Sequence, residues 1–379
     1  MKIIPFLQVP FAVRSVGHSP NPNWSGIGFN GILISTTSLD SLTVSSDNSI
    51  ASIEPGLGWG AVIPQVGVGG LILGGGLSHF SAQYGLAADN VKTFEFVLAS
   101  GEIVNTNAET NSDPFWALKG GGPNFATAYS LTVLPSVLAA FTEWQKNGAQ
   151  TDPKTSVLNN ILSTGCSLGL VYSEPATYPD AFAPLAAIPN GIIRIPATNA
   201  TVTLLSTILG GAFSTASARH VYRSAASLID ETLYNETSSY YFDTINSHQA
   251  KGVKVNMTFT LQTIPPSLVA ASESRGGNPM GFPSLAHQWW TTITDWASEK
   301  DDETVLSAVK SIGDQFETLG AARNSYLPYL YMNDCYADQN PLTQYPPANI
   351  KTMKYIAAKY DPSRVFQLLQ KDGCLLSKA

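Results

Sequence analysis

Three glycine-rich strings lie close together in the first third of the chain. They are Gly67-Val68-Gly69-Gly70 running on to Gly74-Gly75-Gly76, then Gly85 ahead of Leu86-Ala87-Ala88-Asp89-Asn90-Val91, then Gly120-Gly121-Gly122-Pro123-Asn124-Phe125. Glycine has no Cβ and reaches positive φ, so a ligand can come into van der Waals contact with its main chain. Any one string is explained by a tight turn between strands. Three of them, separated by strand-like segments, point to a cradle for something large and flat or highly charged. Upstream, Arg14-Ser15-Val16-Gly17-His18-Ser19 follows the apolar segment Phe11–Val13. A strand-to-loop turn with a glycine, two hydroxyls and consecutive N–H groups is a nest that can bind phosphate oxygens without a lysine. Two common nucleotide cradles are absent. No Gly-x-x-x-x-Gly-Lys-Ser/Thr string occurs, and Gly67 and Gly69 are followed by Ile72 where a dinucleotide fingerprint needs its third glycine.

The elements that must position these residues are loop-rich. The chain has 379 residues, a net charge of −7, 13% charged and 44% hydrophobic residues, enough for one large domain or two ordinary ones. The first 140 residues carry only Lys2, Arg14, Lys92 and Lys119 as cations, so nucleic acid, which demands clustered Lys and Arg, is not an expected partner. No apolar run is long enough for a membrane span. Cys166, Cys335 and Cys374 are too dispersed for a zinc site, leaving one disulfide or three free thiols. Asn23, Asn199, Asn235 and Asn256 head Asn-x-Ser/Thr sequons, a hint of secretory ancestry that chance also produces. The first ten residues, with two prolines, make a poor signal peptide.

Short strands are expected at Phe11–Arg14, Gly31–Ser35, Ile50–Ile53, Thr93–Leu98, Ile103–Thr106 and Ala128–Leu134, with a hairpin turn at Ala99-Ser100-Gly101-Glu102. Asp113-Pro114 reads as a helix start, with Asp as N-cap. Helical spacing is read at Ser156–Leu162, Thr201–Leu209 and Ser224–Tyr234, and a strand at Val253–Gln262. A long helix within Thr292–Leu319 carries Val305, Val309, Ile312 and Phe316 on one stripe, and Asn349–Tyr360 is an amphipathic helix.

Taken together, Arg14–Ser19, Val66–Gly76, Gly85–Val91, Phe115–Phe125, Arg275–Gly281, Tyr331-Met332-Asn333 and Tyr360–Phe366 resemble, in order and over most of the chain, the oxygen-dependent FAD-linked oxidoreductases of the berberine-bridge-enzyme-like group, within the vanillyl-alcohol-oxidase superfamily. The resemblance implies an α+β fold: a PCMH-type FAD-binding domain at 1–135, a substrate domain with an antiparallel sheet flanked by helices at 136–330, and a segment at 331–379 that returns to the first domain. It implies FAD as cofactor, with Arg14, Ser15, Gly17, His18 and Ser19 around the pyrophosphate and His18 as a covalent anchor through the flavin 8α position. Val16 stands where the family has a first glycine, which predicts a distorted turn. Ile63 stands where some relatives attach the flavin through cysteine, so no second link is expected. Gly67, Gly69, Gly70, Gly74 and Gly75 would lie along the ring and ribityl chain. Asp89, Asn90, Val91, Asn124 and Asn333 would complete the cofactor contacts, with turn capping an equal alternative for Asn90 and Asn124.

The implied reaction is oxidation of a small organic molecule with O2 as the other substrate. Tyr331 matches the family's base, with Tyr329 as backup on the same strand face, and Asp334 beside it is expected to raise the tyrosine pKa. Trp289, Trp290, His287 and the Asn278–Gly281 turn are candidates for the pocket lining. Relatives begin further upstream and carry an extra stretch before Ile63, so a truncated or degenerate member is expected. A flavin-free relative that binds or cyclises a substrate, and an inactive pseudo-enzyme, stay open beside the oxidase.

Overall fold

The structure, a computed structural model, describes residues 1–58, 67–118, 127–176, 178–193 and 219–379. Gly120–Gly122, Asn124, Ile63 and the helix expected at Thr201–Leu209 lie outside the described residues.

The N-terminal third is built from small strand pairs. Strands β1 (Phe11–Arg14) and β2 (Ile32–Ser35) run parallel. Strands β3 (Leu42–Val44) and β4 (Ala51–Ile53) form an exposed antiparallel ribbon. Strands β5 (Phe94–Val97) and β6 (Ile103–Thr106) form the expected hairpin, with Gly101 at φ +81° in its turn. Phe11 is fully buried, and its N–H and C=O bond to Leu369 and Lys371 near the other end of the chain. Asp113 does not cap its helix. Asn111, in the left-handed region, precedes Ser112–Ala117, and the Asp113 carboxylate binds Lys359 Nζ at 2.8 Å and Tyr360 Oη at 2.9 Å.

A seven-stranded antiparallel sheet dominates the rest. Its strands are β7 (Thr127–Tyr129), β8 (Thr155–Leu162), β9 (Gly165–Tyr172), β10 (Arg219–Leu228), β11 (Val255–Ile264), β12 (His287–Trp296) and β13 (Tyr326–Leu327). They lie side by side in the order β13-β10-β12-β11-β8-β9-β7. Three sequence expectations fail here. Ser156–Leu162 is β8 rather than helix, Ser224–Tyr234 is the end of β10 followed by a helix from Glu231, and of Ala128–Leu134 only the first residues are strand. Strands buried on both faces lose the alternation that distinguishes them, so short apolar runs read equally well as helix.

One face of the sheet is covered by helices Leu134–Lys146, Glu231–Ala250 and Asp302–Ala322. Val221, Ala225, Met257, Phe259, Leu261 and Trp290 point into this core, where they meet Phe141, Trp144, Tyr241 and the predicted stripe Val305, Val309, Ile312 and Phe316. Each of those stripe residues is at most 2% exposed. At about 1.5–3 kcal/mol per buried large apolar side chain, this layer is the main anchor of the sheet. The three cysteines are free thiols. No helix among the described residues is long and apolar enough to cross a membrane.

Candidate active site

The glycine run and the Tyr-x-Asn motif are one piece of structure. Tyr331 Oη accepts hydrogen bonds from the N–H groups of Gly76 (3.1 Å) and Leu77 (2.9 Å), and from Asn333 Nδ2 (3.1 Å). Asn333 Nδ2 also donates to Leu71 O at 3.1 Å. Gly75 and Gly76 hold φ of +111° and +81°, which aims the following N–H groups at the phenol and which a side-chain-bearing residue would adopt only with strain. A Cβ on Gly74 would come within 1.8 Å of Asn333 Oδ1. Gly74 is thus glycine because Asn333 occupies its side-chain space.

Tyr331 is 3% exposed and stacks on Trp289 with ring centroids 4.4 Å apart. Burial, and after it the Asp334 carboxylate, push its pKa well above the ordinary value, while the Asn333 bond pulls it down. The carboxylate effect is the one expected from the sequence. Tyr329 stacks on the other side of the same cluster, against Trp289 and Tyr345, and its buried hydroxyl has no hydrogen-bond partner among the described residues. Tyr329 and Tyr331 do not share a strand, because β13 ends at Leu327. Their common surface is the Trp289 ring.

The second wall is the face of the sheet opposite the helices. By register, His220, Tyr222, Ser224 and Ala226 on β10 sit beside Asp295, Ile293, Thr291 and Trp289 on β12. Thr258, Thr260 and Gln262 on β11, and Asn160 on β8, continue the same face. Alongside Ala226, Ile293 and Trp289, this face carries more hydroxyls, amides and titratable groups than the face that packs on the helices. Thr260 Oγ1 donates to Asn160 Oδ1 at 2.6 Å. Gln262 Nε2 donates to Asp334 Oδ2 at 2.9 Å. Burial raises the Asp334 carboxyl to about 6, against the opposing bonds from Gln262 and Thr291. The Tyr331 N–H donates to Ser224 Oγ at 3.3 Å, which fixes the Tyr-x-Asn segment to the sheet.

His18 reaches the far end of this face. Its Nε2 lies 3.2 Å from Tyr222 Oη, across 204 residues of sequence. Desolvation, then the neighbouring His220, hold its pKa below the ordinary histidine value. The loop that carries it is pinned at both ends. Ser15 Oγ donates to Pro55 O at 2.5 Å, and Asn21 Nδ2 donates to Cys335 O at 3.0 Å. Gly17 holds φ +82°, whereas Val16 stays out of the positive-φ region, so the branched residue is accommodated by moving the strained position one residue on. Arg14 folds its side chain beneath Gly17, and Ser19 Oγ accepts from the Asn21 N–H at 3.3 Å.

The remaining candidates divide. A Cβ on Gly67 would meet Ser15 Oγ at 2.5 Å, so the two expected cofactor strings touch there. Among the described residues outside the helix itself, nothing lies within 4 Å of where a Cβ on Gly70 would stand, and Pro55 alone does so at Gly69, so these residues leave main chain uncovered on one side of helix Val68–Leu73. Asp89 and Asn90 point elsewhere. Asp89 Oδ2 accepts from the Leu86 N–H at 2.8 Å, and Asn90 Nδ2 donates to the carbonyls of Tyr84 and Leu86, each at 2.8 Å. Both side chains cap their own turn, and Val91 follows it in extended conformation. Asn278 Nδ2 meets Asp89 Oδ1 at 3.4 Å, so the Asn278–Gly281 turn supports that turn rather than lining an opening. Trp290 faces the helix-side core, between Phe259 and Phe316, and His287 is fully buried with a pKa near 4. Missed entirely were Tyr222, His220, Asp295, Gln262 and Thr291. Their signal was polar residues at alternate positions of β10, β11 and β12.

These residues fit a flat, phosphate-bearing cofactor. Main chain at Gly69 and Gly70 that other described residues leave uncovered, the positive-φ turn at Gly17 and the exposed His18 are features such a cofactor uses, and the N–H groups of Gly76 and Leu77 converge on the Tyr331 phenol beside the same glycine run. Comparison with known proteins agrees. The family described as "FAD binding domain" matches residues 59–107. FAD-dependent monooxygenase AOL_s00215g279 of Arthrobotrys oligospora is 36% identical over 98% of this chain and 78% of its own length. FAD-dependent monooxygenase yanF of Aspergillus niger is 29% identical over 100% of this chain and 70% of its own length. Among solved structures, xylooligosaccharide oxidase from Myceliophthora thermophila C1 superposes with a TM-score of 0.77 at 19% identity, over 99% of this chain and 88% of that one. A glucooligosaccharide oxidase from Acremonium strictum gives 0.76 at 19% over 98% and 86%. These likenesses show the α+β fold with a PCMH-type FAD-binding domain. The chain therefore belongs to the FAD-dependent oxidoreductases that include the Arthrobotrys oligospora monooxygenase, it shares the fold of the solved oligosaccharide oxidases, and its cofactor is FAD.

Proposed function

We propose that the protein is an oxygen-dependent FAD-linked oxidase of a small organic molecule in secondary-metabolite biosynthesis, with Tyr331 as the base. The carrying observation is the convergence of three N–H donors, from Gly76, Leu77 and Asn333, on one phenol oxygen. A neutral phenol has two lone pairs and a phenolate has three, so this arrangement favours the form able to take a proton from a substrate O–H. Burial and Asp334 oppose ionisation. The balance makes a base that becomes active on the alkaline side. FAD, when bound, would supply the oxidation chemistry, with N5 as acceptor of a hydride from the substrate carbon and O2 as the final oxidant.

The substrate would lie between the glycine-rich segment and the polar sheet face. Thr260 with Asn160, and Gln262 with Asp334, make hydrogen-bonded polar pairs there, so a hydroxyl-bearing substrate is the best match. Arg14–Ser19, the backbone of Gly67–Gly76, and Asn333 would hold the cofactor, with His18 as the covalent anchor. Asp89, Asn90 and Val91 would contribute only through their backbone. Relatives named as FAD-dependent monooxygenases, and one named bifunctional solanapyrone synthase from Alternaria solani at 29% identity, support a place in fungal-type natural-product chemistry.

The deciding experiment is the visible spectrum of the purified protein, before and after incubation with FAD. A flavin band, with hydrogen peroxide released on a panel of hydroxylated compounds, is the expected result. A colourless protein that takes up no FAD would instead favour the flavin-free reading.

A further inference from the structure

The contact between His18 and Tyr222 joins the phosphate-side loop to the sheet, and the reading of His18 as the flavin anchor gives it no use. His18 is exposed, yet its Nε2 is held 3.2 Å from Tyr222 Oη. The two rings are 6.2 Å apart and inclined by 56°, an in-plane approach to one nitrogen rather than a stack. Tyr222 is in turn flanked by His220, whose ring lies nearly parallel to it at 6.5 Å. His220 faces Asp295 across the β10–β12 ladder. These four groups form a titratable cluster outside the Tyr331 site. The other charged group that acts on Tyr222 is Asp334.

We propose that Tyr222 is the positioning residue for covalent flavin attachment, holding Nε2 of His18 so that Nδ1 is the ring nitrogen presented to the cofactor. This rests on the reading of His18 as the flavin-linking residue. An imidazole has one nucleophilic nitrogen, the one without hydrogen, and the bond made by the other nitrogen decides which it is. Either atom of this contact can be the donor; in the arrangement proposed, Nε2–H donates to the Tyr222 oxygen and the lone pair is on Nδ1. Burial and the carboxylates of Asp334 and Asp295 push the Tyr222 pKa far up, so its oxygen meets the imidazole as a neutral phenol. Desolvation, and after it His220, favour the neutral form of His18, the only form with a lone pair to give. Overall, attachment joins Nδ1 to the methyl carbon on flavin C8. One methyl hydrogen and the imidazole N–H hydrogen are lost, and O2 takes the two electrons and both protons as hydrogen peroxide. Tyr222, with His220 and Asp295 behind it, lies on the way out for the Nε2 proton.

The test needs no substrate. Wild-type protein and the variants His18→Ala, Tyr222→Phe and His220→Gln are purified with FAD, denatured, and assayed for bound flavin by in-gel fluorescence and intact mass. Wild type should carry flavin and His18→Ala none. Tyr222→Phe should lose covalent flavin by about tenfold at equal incubation time, the scale expected when a reacting group is misoriented. It should still bind FAD non-covalently with an unchanged melting temperature. His220→Gln should show a smaller loss. Wild-type protein without covalent flavin would end the anchor reading itself. A covalent wild type with undiminished attachment in Tyr222→Phe would overturn this inference alone. Should Tyr222→Phe not fold, NMR of the flavin peptide from wild type decides, because linkage at Nε2 contradicts the proposal.

Discussion

The two faces of the seven-stranded sheet are made by the same strands and do opposite work. On β10, β11 and β12 the residues Val221, Ala225, Met257, Phe259, Leu261 and Trp290 turn toward the helices, while His220, Tyr222, Ser224, Thr258, Thr260, Gln262, Thr291 and Asp295 turn away. The period of two that places them is a property of the backbone. The helix-side face gains stability from water excluded over aromatic and branched surface. The other face holds hydrogen-bonding groups that a purely structural sheet would replace with hydrocarbon. Stability and chemistry are therefore separable in this fold, and substitutions should sort by face.

The largest expected effect on the helix side is Phe316→Ala. It empties a fully buried ring site stacked on Trp290 and should cost about 3–5 kcal/mol in denaturant unfolding. A loss below about 1 kcal/mol would mean that the helix layer is not the anchor claimed for it. On the site side, Tyr331→Phe keeps the Trp289 stack and removes only the hydroxyl. It should lower turnover by about 10²–10⁴ while the flavin spectrum remains. Unaltered turnover would remove Tyr331 from the chemistry.

Asp334→Asn sharpens the contrast in two ways. Its folded pKa is raised, to about 6, so the native state holds the proton more tightly than the unfolded chain. Wild-type stability should therefore fall relative to the variant as pH rises from about 4 to about 6, by no more than roughly 3 kcal/mol. The same substitution removes a negative charge beside Tyr331, so the alkaline limb of the activity profile should move to lower pH. A limb that moves to higher pH would reverse the assigned electrostatics. The smallest effect is expected for Thr260→Val. It breaks the bond to the half-buried Asn160 amide and should cost about 1 kcal/mol or less in stability while weakening substrate binding.

The glycine clusters, the Arg14–Ser19 turn and the Tyr331–Asn333 motif were legible in the sequence because each is local. A glycine run, a turn and a tripeptide carry their constraints within a few residues. Phe11–Arg14, the Leu98–Glu102 hairpin and the Val305–Phe316 stripe were legible for the same reason, since turn chemistry and a helical stripe are short-range patterns. β8 was not, because its sequence Thr-Ser-Val-Leu-Asn-Asn-Ile-Leu does not alternate apolar with polar although its burial largely does. Asn90 shows the opposite limit: its place in a family motif suggested a ligand contact, yet both its amide hydrogens go to its own turn.

By itself, then, the sequence determined that backbone-exposing glycine strings lie close together, because glycine runs are written in residue types, and the order of its motifs, through their resemblance to a known family, pointed to FAD. Only the tertiary structure decided that Asn333 fills the space beside Gly74, that three N–H groups meet on Tyr331, and that His18 is held by Tyr222. Apart from the local Asn333–Tyr331 bond, those contacts join residues separated by more than 200 positions in the chain, and no local pattern encodes them. They exist because strand pairing places β10 against β12 in one register, and a shift of one residue would turn every polar group on the site face into the core.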